Sequence, residues 1–324
     1  MTLDIILLIV GLLLVVFGSD YLVDGASDIA RRSGISEFVI GLTIVGIGTS
    51  TPEMVVSFIS AFQGSSDMSV GNVIGSNIFN TFLILGVTAI ILPMTITPSC
   101  IKRDIPVNIL ASVLLIVLGT NKTIFGLGSN CVSRIDGLIL IICFALYMYA
   151  SFKNGRDQEE VEQDENQEEV RHFNNVIIPV LLIVGGLAAL IGGGKMFVNH
   201  ACSFALRLGW SEKFIAITIL AGGTSLPELA TCIAAAIKKK GQLALGNILG
   251  SNISNICLIL GGSALIHPLS MENITITDMG FLLLASLFLL VADFTYDRRK
   301  LDRAEGVALV LFECIYMFLL IKAL

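Results

Sequence analysis

The chain has 324 residues, of which 55% are hydrophobic and only 14% charged, and its formal net charge is −6. A water-soluble domain carries about 25% charged residues, so a soluble enzyme is excluded as the default, and 7 prolines are too few for a collagen-like or proline-rich disordered chain. The composition is that of a polytopic α-helical membrane protein.

The negative sign is local. Eight of the 26 acidic residues lie between Asp157 and Glu169, which leaves the rest of the chain slightly basic. No basic stripe interleaved with aromatics occurs, so nucleic acid is not an expected partner; the lipid bilayer is. The first apolar run lacks a basic n-region and reads as a retained helix, not a cleaved signal.

Apolar runs long enough to cross a bilayer predict ten spans, near 3–30, 36–62, 69–92, 104–120, 134–152, 176–206, 211–237, 243–266, 278–294 and 304–323. Residues 153–174 form the only extended hydrophilic stretch, an acidic linker that cannot bury enough apolar area to fold alone. It separates a first five-helix repeat, 1–152, from a second, 175–324. The seven cysteines (Cys100, Cys131, Cys143, Cys202, Cys232, Cys257 and Cys314) lack CxxC spacing, and most sit inside apolar runs as small hydrophobes.

With the N-terminus outside, inner segments hold 14 Lys and Arg and outer segments 5, counted from the sequence with Lys195 assigned to a span. Cytoplasmic loops carry the excess of positive charge. Both termini are therefore expected outside and the linker, with Arg298–Lys300, on the cytoplasmic face of the membrane.

A shift of 175 residues aligns Gly18–Pro93 with Gly193–Pro268 without a gap, and 31 of the 76 positions are identical. GTSTPE (Gly48–Glu53) falls on GTSLPE (Gly223–Glu228), and GNVIGSNIFN (Gly71–Asn80) on GNILGSNISN (Gly246–Asn255). Five spans per half is an odd number, so the second half must enter the membrane from the opposite side. This is an inverted-topology repeat, the plan of many secondary transporters.

Glu53 and Glu228 fall near the centres of spans two and seven, where a carboxylate costs roughly 2.5–3.5 kcal/mol on insertion scales. Pro52 and Pro227 lack an N–H and crowd the preceding turn, and Gly46, Gly48, Gly222 and Gly223 ease a break. Each of these spans is expected to be two half-helices, with Thr49, Ser50, Thr224 and Ser225 available as caps and Pro at the first position of the second half. Carbonyls freed at that depth persist only where they line a cavity or bind something. On spans three and eight, Gly71/Gly75 and Gly246/Gly250 read as close-packing GxxxG pairs. Packing does not explain Asn80 and Asn255, which read as ligands. Asn77 and Asn252, with Ser76 and Ser251 beside them, share roughly the same face.

Four carboxylate oxygens, two amide oxygens and the carbonyls of Thr49 and Thr224 total about eight donors, the number Ca²⁺ takes. No His or Cys belongs to the set, which disfavours Zn²⁺ and Cu⁺, and Mg²⁺ dehydrates reluctantly. Two ionised glutamates are neutralised by one Ca²⁺ or two Na⁺, and a site too costly to cross empty couples the two. A third Na⁺ makes the cycle electrogenic.

The paired G-T-S-x-P-E and G-N-x-x-G-S-N-x-x-N segments resemble the α-repeats of the Ca²⁺/cation antiporter superfamily, most closely prokaryotic sodium/calcium exchangers. The resemblance covers nearly the whole chain. It implies three Na⁺ positions flanking one Ca²⁺ position, with Glu53 and Glu228 binding both ions and Thr49 and Thr224 helping through carbonyls. It also implies that Ser50, Ser225, Ser76 and Ser251 line outer and inner Na⁺ positions, that Asn80 and Asn255 complete the centre, and that spans one and six slide past the bundle to alternate access. Several relatives, including potassium-dependent ones, carry Asp where this chain has Asn255, which argues against K⁺ co-transport.

Asp20 and Lys195 occupy equivalent places and read as interfacial, snorkelling residues with a gating contact as the alternative. Glu313 lies inside span ten and is not assigned to transport. His172, His200 and His267 are scattered and read as structural or surface residues. The leading function is alternating-access Na⁺/Ca²⁺ antiport, without cofactors. H⁺/Ca²⁺ or other divalent exchange is the alternative and a passive cation channel a further one. No HExxH, paired catalytic Asp or nucleophile-elbow motif supports an enzyme.

Overall fold

A computed structural model describes residues 2–126, 129–154, 175–208, 221–292 and 299–323. The described chain is predominantly helical. In chain order the helices are α1 (Thr2–Ser33), α2 (Glu37–Thr49), α3 (Thr51–Phe62), α4 (Ser66–Ile91), α5 (Ile105–Gly119), α6 (Asn121–Phe125), α7 (Arg134–Asn154), α8 (Ile177–Arg207), α9 (Leu226–Ile237), α10 (Gly241–Ile266), α11 (Ile276–Ala292) and α12 (Arg303–Ala323). Among the described residues six helices are long and apolar enough to cross a membrane, and seven spans result if the bent pair α2–α3 is one. α9 and α11 are shorter apolar helices. The first part of predicted span seven and nearly all of the acidic linker, with His172, lie outside the described residues.

The bend between α2 and α3 is 47°. It is centred on Ser50, whose φ of −77° and ψ of 9° leave the α region. Pro52 has no N–H to offer the Gly48 carbonyl, and the Thr51 hydroxyl donates to that oxygen instead at 2.7 Å. Ser225 repeats the break with φ −86° and ψ 9°. Each proline is the second residue of its helix, not the first as the sequence suggested, and neither serine caps through its side chain.

Beyond the expected helices there are four two-residue strands among the described residues. β1 (Met94–Thr95) pairs antiparallel with β4 (Lys300–Leu301), and β2 (Cys131–Val132) with β3 (Leu269–Ser270). These ladders tie the end of α4 to the start of α12 and the end of α10 to the start of α7. The helices follow: α12 packs on α4, and α7 packs on α10. The fifth helix of each half thus lies against the third helix of the other, and Phe82 of α4 stacks on Phe312 of α12 with centroids 5.7 Å apart.

Repeat-equivalent residues meet in exchanged pairs. A Cβ on Gly11 would stand 2.9 Å from the Gly193 carbonyl oxygen, and one on Gly18 2.9 Å from that of Gly186. Gly11 is equivalent to Gly186 and Gly18 to Gly193, so α1 and α8 run antiparallel along a glycine seam that brings their backbones into contact. The hydroxyls of Ser112 (α5) and Ser286 (α11) are 2.7 Å apart. The Tyr147 hydroxyl donates to Asp104 at 2.8 Å, and the Tyr316 hydroxyl to Asp278 at 2.9 Å.

Gly246 and Gly250 behave as packing glycines. A Cβ on either would fall on the backbone of Phe38 or Leu42, so α10 presses directly on α2. Gly71 and Gly75 meet no described residue within 4 Å. Apolar side chains of α1, α7, α8 and α12, such as Phe17, Ile135, Leu181 and Phe318, are exposed on the outside of the bundle, where lipid would cover them.

Gly18→Leu should open the α1–α8 seam and cost about 1–3 kcal/mol or more from overpacking. The purified chain should melt several degrees lower in detergent, whereas Gly185→Ala, where a Cβ meets nothing within 4 Å, should leave the transition unchanged.

Candidate functional site

The two breaks meet at the centre of the bundle. Glu53 follows the first and Glu228 the second, and both are fully buried. The Ser50 hydroxyl donates to Glu228 Oε1 at 3.0 Å, and the Ser225 hydroxyl to Glu53 Oε1 at 3.0 Å. Each half therefore holds the carboxylate of the other. The caps predicted from the sequence fail for this reason: the serine hydroxyls are spent across the repeat, not on their own helix N-termini. Ser76 reaches Glu53 Oε1 at 3.5 Å.

α4 and α10 bring the asparagines to the same place. Asn80 and Asn255 are fully buried and begin the π-helical segments Asn80–Leu85 and Asn255–Leu260. Asn80 Nδ2 donates to Asn252 Oδ1 at 3.3 Å, and Asn255 Nδ2 to Asn77 Oδ1 at 3.0 Å. Nine of the ten predicted site residues are buried, and Thr224 is half-buried.

Four buried acceptor oxygens here have no hydrogen-bond partner: Glu53 Oε2, Glu228 Oε2, Asn80 Oδ1 and Asn255 Oδ1. They are two pairs of repeat equivalents. A buried polar atom without a partner costs about 1–3 kcal/mol, so four acceptors together call for a cation or a hydrogen-bond donor among them. Among the described residues no three His, Cys, Asp or Glu side chains gather as a metal group. The donors are carboxylate, amide and hydroxyl oxygens, the ligand chemistry of hard cations.

The predicted threonines and the second-half serine depart from symmetry. The Thr49 hydroxyl donates to Asn247 Oδ1 at 3.1 Å, and Ser251 to the Gly46 carbonyl at 3.1 Å. The Thr224 hydroxyl has no partner among the described residues. Two further residues shape the site without having been singled out. Asn72 Nδ2 donates to the Glu53 carbonyl at 3.3 Å, and its equivalent Asn247 donates to Cys232 Sγ at 3.2 Å. Their signal was the duplicated Gly-Asn dipeptide, read for its glycines alone.

Outside the centre, Asp20 is an ion-pair partner. Lys238 Nζ lies 2.6 Å from Asp20 Oδ1 and 2.6 Å from Asp24 Oδ1, and Lys240 lies 2.8 Å from Glu37. Lys195 is exposed. His200 stands 3.4 Å from Asp4, and His267 is exposed. Glu313 is buried on α12 with Oε2 unpartnered, away from the exchanged pairs of Glu and Ser.

Known proteins are similar to this chain along nearly its full length. The family model described as sodium/calcium exchanger protein matches residues 3–153 and 178–322. The sodium/calcium exchanger MaX1 of Methanosarcina acetivorans is 35% identical over 98% of this chain and 99% of its own length. Inner membrane protein YrbG of Escherichia coli is 36% identical over 94% and 92%. A solved structure of the sodium-calcium exchanger NCX_Mj, soaked with Na⁺ and Ca²⁺, superposes with a TM-score of 0.81 at 35% identity over 97% of both chains.

Ser50→Ala should leave the second oxygen of Glu228 unsatisfied, and Ser225→Ala should leave that of Glu53 with only the long contact from Ser76. Each should destabilise the purified chain by about 1–3 kcal/mol, read as a lower melting temperature, and Ser57→Ala, at a site outside the exchanged pair, should cost less.

Proposed function

The chain belongs to the sodium/calcium exchanger protein family, and from that membership we propose that it is a Na⁺/Ca²⁺ antiporter whose substrate cage is the cluster of unpartnered oxygens between α3, α4, α9 and α10. The single observation that carries the reading is the four-oxygen set of Glu53, Glu228, Asn80 and Asn255. Ca²⁺ accepts 6–8 oxygens at about 2.3–2.6 Å. The two carboxylates match one Ca²⁺ or two Na⁺ in charge, so the ions compete for one set of ligands. Ser50, Ser225, Ser76, Ser251 and the carbonyls of Thr49 and Thr224 serve the flanking Na⁺ positions. A third Na⁺ makes each cycle move net charge, worth about 2.3 kcal/mol per charge per 100 mV.

The architecture we propose for it is ten spans in two inverted repeats, 1–152 and 175–324, with both termini outside a prokaryotic inner membrane and the acidic linker within the cytoplasm. The glycine seam and the Ser112–Ser286 pair join the two halves, and one Tyr–Asp contact recurs within each half; these support a two-fold relation, and the antiparallel α1–α8 seam supports opposite insertion. In this reading α1 and α8 move together along the remaining bundle to expose the cage to one side at a time.

Support for alternation comes from the inequality of the two ends. One end is sealed: α10 presses on α2 through Gly246 and Gly250, and Lys238 and Lys240 tie α1 and α2 to the end of α9. At the equivalent positions of the other end stand Lys195, Asn199, Gln63 and Ser65, which cannot repeat the Lys238 and Lys240 ion pairs. With the lysine-rich end in the cytoplasm, the described conformation is closed inward.

In sealed vesicles, Ca²⁺ flux should require an opposing Na⁺ gradient and respond to membrane potential. Gradient-independent flux would reject coupling, and uptake driven by a proton gradient without Na⁺ would select H⁺ exchange. Glu53→Gln and Glu228→Gln should each abolish exchange while leaving a monodisperse protein. Lys238→Gln should weaken the inner seal by about 0.2–1 kcal/mol, as for half-exposed ion pairs. Its readout is a shift of up to about fivefold in the ratio of apparent Ca²⁺ affinities measured at the two membrane faces.

A further inference from the structure

An asparagine ligand is useful to a cation only if its carbonyl oxygen, not its NH₂ group, faces the ion. Nothing in the shape of the side chain enforces that choice, since the two ends of the amide are nearly the same size. At Asn80 and Asn255 the choice is made by two other asparagines. Asn77 Oδ1 accepts from Asn255 Nδ2 at 3.0 Å, and Asn252 Oδ1 accepts from Asn80 Nδ2 at 3.3 Å. Each interaction leaves the ligand's Oδ1 without a partner, and both of those oxygens are buried. We propose that Asn77 and Asn252 are positioning residues that fix the amide orientation of Asn255 and Asn80, and thereby set the affinity of the cage for Ca²⁺. The inference rests on the proposed exchange site.

The orienting residues are themselves held. Asn77 Nδ2 donates to the backbone carbonyl of Asn252 at 3.1 Å. A carbonyl cannot donate, so a flipped Asn77 would set oxygen against oxygen there and NH₂ against NH₂ at Asn255. The order is therefore fixed from a main-chain atom outwards. Asn252 Nδ2 donates to the Thr81 hydroxyl at 2.8 Å. A hydroxyl can donate or accept, so this second arm is the weaker determinant. Thr81 has Ile256 as its repeat equivalent, so the arm exists on one side only. Asn77 and Asn252 sit three residues before Asn80 and Asn255, one helical turn away on roughly the same face. The short reach across the two-fold relation explains why each orients the ligand of the opposite half.

The test is a double-mutant cycle on the full chain, read by equilibrium Ca²⁺ binding to the purified protein and by Na⁺-driven Ca²⁺ flux in vesicles. Asn77→Leu removes the acceptor and should weaken Ca²⁺ binding about 10- to 100-fold, the range typical of lost outer-shell contacts at metal sites, and should raise the Ca²⁺ KM more than it lowers the maximal rate. Asn255→Asp presents oxygen on both ends, so orientation no longer matters. In that background Asn77→Leu should cost less than about twofold or improve binding, because it removes an oxygen facing a carboxylate. An equal loss in both backgrounds, or no loss in either, overturns the proposal. The mirror cycle, Asn252→Leu with Asn80→Asp, decides the matter if Asn77→Leu does not fold. A protein that binds Ca²⁺ with the expected cycle but shows no Na⁺-driven flux would retain the positioning role and reject the antiport reading. One that binds no Ca²⁺ would reject both.

Discussion

Two carboxylates in the interior of a membrane bundle, each held by a serine from the opposite half of the chain, form the constraint around which the protein is built. An intramembrane carboxylate is costly, and Ser50 and Ser225 satisfy only one oxygen of Glu228 and Glu53 respectively. The oxygens left over, with those of Asn80 and Asn255, are a standing demand for positive charge. The helix breaks put the serines and glutamates one turn apart at the same depth. The proline supplies the break by withholding an N–H, and Thr51 answers the carbonyl so released.

Close approach of backbones is what brings these groups together. α10 lies on α2 because Gly246 and Gly250 offer no side chain where Phe38 and Leu42 pass. α1 lies on α8 for the same reason at Gly11, Gly18, Gly186 and Gly193. Without a hydrophobic driving force between helices in lipid, such packing and the buried polar pairs carry the association. The paired serines 112 and 286 join the two halves, and one Tyr–Asp contact recurs inside each half. The two halves are interleaved, since α7 and α12 each complete the other half and the two-residue ladders fasten them there.

The departures from symmetry are as informative as the symmetry. The same residue types occur twice, yet Thr49 is bonded and Thr224 is not, and Ser251 turns to a backbone carbonyl while Ser76 turns to Glu53. Two chemically equal half-sites thus stand in unequal surroundings. The Lys238 clamp on Asp20 and Asp24 cannot recur in the first repeat, where Gln63, Lys195 and Asn199 stand at the equivalent positions.

The sequence by itself determined the membrane class, the doubling, and the identity of the buried acids and amides, because hydropathy and a repeat in register are properties of the linear chain. Most helices lie within a few residues of the apolar runs that announced them, and Glu53, Glu228, Asn80 and Asn255 are all fully buried. Only the tertiary structure decided which partner each polar group takes. Ser50 looked like a helix cap and is a bridge to Glu228; Asp20 looked interfacial and is clamped by Lys238, 218 positions away. Asn77 read only as sharing a face with Asn80, and Asn72 was not singled out at all; their bonds to Asn255 and to the Glu53 carbonyl depend on how the helices cross. The physical reason is that a hydrogen bond is chosen by distance and direction in space. Those follow from helix crossings set at the glycine seams, which the order of residues along the chain does not display.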